Sequence, residues 1–163
     1  MKHYITPLFV LILDQYTKYL IKINFELYES KMIIGEYLRF THVRNPGIAF
    51  GISVGDYRVL LALISIIATI FIIYLHSQEK NSHPLISSSF GLILGGALGN
   101  MIDRSMIIFN QNFEGVIDFL DVGFGDYRWY IFNVADSAVT IGIILYIIYS
   151  LLFNKSEILS KSD

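Results

Sequence analysis

The run VLLALISIIATIFIIYL, Val59 to Leu75, contains no charged residue and is bounded by Arg58 and His76. A helix on a water-soluble domain shows a polar stripe every turn, and this one would have none. A bilayer is crossed by roughly 17–25 mostly apolar residues at about 1.5 Å each. The run is therefore read as a membrane-spanning helix, and the chain as an integral membrane protein.

Three more segments have comparable length. Ile5 to Ile23 carries Asp14, Gln15 and Lys18 inside an apolar frame; Leu85 to Ile102 is rich in small residues; Ile131 to Phe153 starts with Asn133, Asp136 and Ser137 and is purely apolar after Thr140. The start of the chain resembles a secretory signal, with Lys2 and His3 before the apolar stretch Pro7 to Leu13. Asp14 interrupts that stretch and no small-x-small cleavage pattern follows, so a retained first helix is expected. The expected fold is a four-transmembrane-helix bundle with a small β-sheet, in a single domain over residues 1–163. Helices are expected near 5–23, 59–75, 85–102 and 131–153.

The bulk properties agree. The 163 residues are 54% hydrophobic and 16% charged, with a mean hydropathy of +0.55. The net charge of −2 offers no basic surface, so no nucleic-acid partner is expected. There are no cysteines, which removes disulfides, thiolate metal sites and thiol nucleophiles.

Four spans place both termini on one side of the membrane and the segments near 24–57 and 103–130 on the other. Asn100, Asp103 and Arg104 at the end of the third helix, and Asn133 and Asp136 at the start of the fourth, then open on that same face. Glu36 to Arg44 alternates and is rich in aromatic and β-branched residues, which predicts a strand, with Val116–Val122 and Arg128–Phe132 as partners. Charge counting by the positive-inside rule would put the long segments in the cytoplasm. The long-segment side carries Lys22, Lys31, Arg39, Arg44, Arg58, Arg104 and Arg128, against Lys2, Lys80, Lys155 and Lys161 on the other.

Asp136 is the first candidate for chemistry. Placed about five residues into a spanning helix, a carboxylate costs several kcal/mol unless paired, hydrated or protonated. Asn133, three residues earlier, shares its face. Asp118 lies in the short run Gly115-Val116-Ile117-Asp118-Phe119 on the same side of the membrane. Two facing carboxyls share a proton, so that one activates a water while the other polarises a carbonyl. That is peptide hydrolysis without a metal.

Other polar positions have two readings each. Arg104, four residues after Asn100 and on its face, either holds a substrate carbonyl or anchors the helix. Asn45, in Arg44-Asn45-Pro46-Gly47, either makes a turn or reaches a substrate backbone. Asp14 and Lys18, four apart, are expected to pair with each other or with neighbouring helices, which favours a structural role. Gly91, Gly95 and Gly99 form a smooth face for a packed helix. His3, His42, His76 and His83 are scattered, so no metal site and no cofactor are expected.

Together these motifs closely resemble the bacterial lipoprotein signal peptidases (signal peptidase II). The matching stretches are Asp14-Gln15-Tyr16-Thr17-Lys18, Arg44-Asn45-Pro46-Gly47-Ile48-Ala49-Phe50, Gly95 to Arg104, Val116-Ile117-Asp118-Phe119 and Phe132-Asn133-Val134-Ala135-Asp136-Ser137, in the family's order. The resemblance implies an aspartyl endopeptidase that removes the signal peptide from prolipoproteins just before the diacylglyceryl-modified cysteine. It implies Asp118 and Asp136 as the catalytic dyad, and Asn45, Gly47, Asn100, Arg104 and Asn133 as substrate-binding positions. Asp14, Lys18 and Asp103 are then structural polar residues. It further implies a bacterial inner-membrane location, cytoplasmic termini, and an active site near the outer leaflet that meets membrane lipid. Ser105 to Glu114 is longer than the family pattern.

Two other function classes compete. A small proton-coupled carrier would use the intramembrane carboxylates as relays, but neither an inverted repeat nor a broken helix pair is visible. A non-enzymatic assembly protein would use the glycine face and leave Asp118 and Asp136 without a role.

Overall fold

The computed structural model describes residues 4–47, 58–79, 82–110 and 113–160. In chain order the elements are α1 (Ile5–Asn24), β1 (Ser30–Ile34), β2 (Leu38–Asn45), α2 (Arg58–Gln78), α3 (Pro84–Phe109), β3 (Val116–Phe124), β4 (Tyr127–Arg128) and α4 (Val134–Ser160). Helix α3 packs against the other three helices. The helices α2, α3 and α4, the last over Val134–Leu152, are long and apolar enough to cross a membrane. Helix α1 has 20 residues but includes Asp14, Lys18 and Lys22.

Burial runs opposite to that of a water-soluble bundle. Leu60, Ile64, Ile67, Ile70 and Phe71 point outward from α2, while Ala62, Thr69 and His76 are buried. In α1, Leu8, Phe9, Ile12, Tyr16 and Tyr19 face out, and Asp14 and Lys18 face in. An apolar exterior around a small and polar interior suits hydrocarbon, where each buried polar group has to be satisfied within the protein.

The helix that lies on the glycine face of α3 is α1. A Cβ on Gly95 would come within 2.6 Å of the Val10 Cβ and 2.8 Å of the Pro7 carbonyl oxygen. On the adjoining face, a Cβ on Gly96 would run into the backbone carbonyl of Ala135, so α4 also lies against bare backbone.

The four strands form an antiparallel sheet in the order β1-β2-β3-β4. The expected strand over Glu36–Arg44 is β2, and Val116–Val122 falls within β3. Strand β1 lies outside the stretches whose alternation predicts a strand, and all five of its residues are exposed. Of Arg128–Phe132, Arg128 belongs to β4 and Phe132 pairs with Leu120 as an isolated bridge. Ile117 and Phe119 bury against Ile21 of α1, with Phe25 and Phe40 around them. Strand alternation sends Asp118, between those two, to the opposite face.

Two helix boundaries beside the polar residues differ from expectation. Helix α3 continues through Asp103 and Arg104 to Phe109, so residues 103–109 are helix and not the start of a loop. Helix α4 begins at Val134 rather than near Ile131, which places Asp136 in its first turn instead of five residues in. The reason is local. Asn133 is the N-cap: its Oδ1 accepts from the Asp136 N–H at 2.9 Å, and Asp136 Oδ2 accepts from the Asn133 N–H at 3.2 Å. This reciprocal capping box stabilises a carboxylate at the positive end of the helix.

Candidate active site

Asp118 and Asp136 approach the same place from different elements, one from near the start of β3 and the other from the first turn of α4. Asn133 joins them. Its Nδ2 donates to Asp118 Oδ1 at 2.7 Å, and its backbone N–H donates to Asp136 Oδ2. The second oxygen of each carboxyl has its own amide: Asn45 Nδ2 donates to Asp118 Oδ2 at 2.9 Å, and Asn100 Nδ2 donates to Asp136 Oδ1 at 2.7 Å. Asp118 is 2% exposed, whereas Asp136 is only half-buried. Burial, and then the neighbouring Asp136 charge, push the Asp118 carboxyl up to about 7, against the opposing effect of the Asn45 and Asn133 bonds.

The amide of Asn45 is held from behind. Its Oδ1 accepts from the Gly47 N–H at 3.0 Å, which turns Nδ2 toward Asp118. Gly47 therefore orients Asn45, and it lines a small cavity beside the main one. Gly115 has a φ of +122°, and a Cβ there would strike the Asn45 carbonyl, so glycine is what lets β3 start against the end of β2. Arg44 donates to the Gly115 carbonyl at 3.2 Å and Arg58 to that of Phe113 at 3.2 Å. Ile48, Ala49 and Phe50, the rest of that motif, lie outside the described residues.

Behind the two carboxyls lies a charged cluster. Lys18 Nζ is 2.8 Å from Asp14 Oδ2, 2.7 Å from Asp103 Oδ2 and 3.0 Å from Asn100 Oδ1. Gln15 Nε2 donates to Asp14 and Asp103, each at 3.2 Å. Asp14, fully buried, also accepts the Ala135 N–H at 2.9 Å and so caps α4 alongside Asn133. Asn100 links the cluster to the carboxyls: its Oδ1 accepts from Lys18 and from Asn133 Nδ2, which leaves its Nδ2 for Asp136.

Asn45, Asn100, Arg104, Asp118, Asn133 and Asp136 all line one cavity of about 980 Å³. Its remaining wall is largely apolar and includes Trp129, Ile131, Phe132, Val139 and Ile141. Arg104 lines both this cavity and the small one beside it, and its Nη1 donates to Ser65 Oγ of α2 at 3.3 Å. The arrangement offers two carboxyls of different burial, each held by amides, at the polar end of an apolar trough. It suits acid–base chemistry on a polar bond carried by an apolar molecule.

Two features of this region have no local signal in the sequence. Ser65 gave no signal among the apolar residues of α2, and the Lys18–Asn100 contact spans 82 positions. The capping box Asn133-Val134-Ala135-Asp136, in contrast, was readable from its spacing.

Comparison with known proteins supplies a family. The family described as Signal peptidase (SPase) II matches residues 6–152. The lipoprotein signal peptidase of Desulforapulum autotrophicum is 37% identical over 150 residues, covering 90% of this chain and 88% of that protein. That of Syntrophus aciditrophicus is 36% identical over 148 residues, covering 88% of each. Among solved structures, a bacterial membrane enzyme determined by the in meso method at 2.3 Å superposes with a TM-score of 0.79 at 35% identity, covering 96% of this chain and 90% of the other. A second, determined at 1.9 Å, gives 0.76 at 35% identity and covers 93% of each.

Proposed function

The chain belongs to the signal peptidase II family, and from that premise we propose that Asp118 and Asp136 are the catalytic dyad of its peptidase reaction. As a member of that family it is a protease that removes signal peptides from prolipoproteins, and a multi-pass protein of the inner membrane. The observation that carries the dyad reading is the shared Asn133, which donates to both carboxyls at the head of the cavity.

In this reading Asp118 holds the proton, because it is the deeper carboxyl and burial favours its neutral form. Asp136, nearer the opening, takes a proton from water as the water oxygen attacks the scissile carbonyl carbon. Asp118 donates its proton to the carbonyl oxygen, giving a neutral gem-diol. Collapse breaks the C–N bond: Asp136 returns its proton to the leaving nitrogen, and a diol hydroxyl gives its proton back to Asp118. The dyad ends as it began, without metal or cofactor. Asn45, oriented by Gly47, and Asn100 and Asn133 hold the carboxyls in register, and Arg104 on the cavity wall meets the substrate. The scissile bond lies just before the diacylglyceryl-modified cysteine, whose lipid suits the apolar trough.

The finer topology belongs to the same proposal. Residues 1–163 form one polytopic domain with four spans, α1 being the fourth. Burial of Asp14 and Lys18 behind an apolar outer face supports that role for α1. The termini are cytoplasmic and the cavity opens near the outer leaflet. The cationic excess on the cavity side has a structural explanation that supports this orientation: Arg44 and Arg58 hold backbone carbonyls, Arg104 holds Ser65, and Arg128 pairs with Asp121.

Purified protein is expected to cleave a diacylglyceryl-modified prolipoprotein and to leave the same chain without lipid uncut. Equal cleavage of both would overturn the lipid requirement. The rate should also fall as pH rises through about 7, where Asp118 loses the proton it must donate. A kcat still climbing at about pH 9 would reverse the roles of the two aspartates.

A further inference from the structure

We propose that Arg128 and Asp121 form a clip that holds the aromatic rim of the cavity in position, and so set substrate affinity rather than turnover. Neither residue is part of the dyad or of its amide shell. The inference rests on the peptidase reading above and deepens it.

One guanidinium ties together three pieces of backbone. Arg128 Nε and Nη2 reach Asp121 Oδ1 at 2.9 and 2.8 Å, and Nη2 also donates to the Asp121 carbonyl at 2.8 Å. The remaining Nη1 donates to the Glu36 carbonyl, in the turn between β1 and β2, at 2.6 Å. The other carboxylate oxygen of Asp121 accepts from Thr41 Oγ1 of β2 at 3.1 Å. Both side chains are largely buried, 19% and 11% exposed, and the guanidinium directs its donors at fixed angles. The clip therefore crosses β4, β3 and the β1–β2 turn.

What it holds follows directly in sequence. Strand β4 ends at Arg128, and Trp129, Tyr130, Ile131 and Phe132 then line the cavity up to Asn133. At the near end Trp129 N–H donates to the Val122 carbonyl at 2.8 Å, and at the far end Phe132 pairs with Leu120. The clip and the tight Gly125–Asp126 hairpin brace the start of that wall against β3. The dyad has separate supports, namely the capping box and the three asparagines. Loosening the rim should therefore change how well substrate seats before it changes how fast a seated substrate is cut.

Trp129 is the only tryptophan in the chain, so its emission reports on the rim alone. The test compares full-length wild type, Arg128→Ala, Arg128→Lys and Asp121→Asn in detergent, first without substrate. Acrylamide quenching of Trp129 should rise in Arg128→Ala and Asp121→Asn. With diacylglyceryl-modified prolipoprotein, KM should rise at least about fivefold in both while kcat stays within about twofold. Arg128→Lys, which keeps the charge but loses the fork, should fall between. Unchanged quenching and KM would overturn the proposal, as would a fall in kcat at constant KM. If Arg128→Ala does not fold, Asp121→Asn, which keeps the backbone bonds, decides the matter by the same readouts. A wild type that cleaves nothing would overturn the peptidase reading instead, and the substrate-free quenching would still judge the clip.

Discussion

Asp118→Asn and Asp136→Asn are each expected to lower kcat/KM by about 10³-fold or more, with the protein still folded. The substitution keeps shape and one carbonyl acceptor, so it isolates the loss of an exchangeable carboxyl proton. In the proposed mechanism Asp118→Asn leaves nothing to protonate the carbonyl oxygen, and Asp136→Asn leaves nothing to accept a proton from water. Because the two act on one proton cycle, the double variant should be scarcely worse than either single one. Turnover of the lipid-modified substrate, measured beside a thermal unfolding curve, checks this. A folded single variant with wild-type turnover would remove that aspartate from the dyad.

The second large effect is on stability and concerns Lys18. Its ammonium serves two carboxylates, Asp14 and Asp103, as well as the Asn100 carbonyl. Lys18→Met leaves two acids facing each other in a buried pocket with no cation. Breaking a buried pair in this way costs about 3–5 kcal/mol. Asp14→Ala is milder by the same logic, because Lys18 keeps Asp103 at 2.7 Å and the main loss is the acceptor for the Ala135 N–H. The expected order of thermal stability in detergent is wild type, then Asp14→Ala, then Lys18→Met. The folded fraction of Asp14→Ala should retain turnover. If Asp14→Ala proves the less stable of the two, capping of α4 matters more than charge balance. A stable but wholly inactive Asp14→Ala would move Asp14 from the scaffold into the chemistry.

Much of the site was legible because its signals are local. Asn133 and Asp136 are three residues apart, Asp14 and Lys18 four, and Asn100 and Arg104 four, and helical geometry places each pair on one face. Strand alternation around Asp118 likewise separates it from Ile117 and Phe119. Asp136 lies shallower than hydropathy implies, because apolar Ile131 and Phe132 precede α4 and do not open it. The capping residue Asn133, not hydropathy, marks where α4 begins.

The remaining features depend on contacts between distant residues. Nothing local to Asn100 says that Lys18 takes its carbonyl and thereby aims its amide at Asp136. Nothing near Arg128 names the Glu36 carbonyl, 92 positions away, as its partner. Sequence by itself determined the class of the protein and the chemical inventory, because hydrocarbon allows few structures and makes each ionisable residue conspicuous. Only the tertiary structure decided what each inventory member touches. Hydrogen bonds between elements depend on register and approach distance, and those are set by packing against bare glycine backbone and not by any residue's own type.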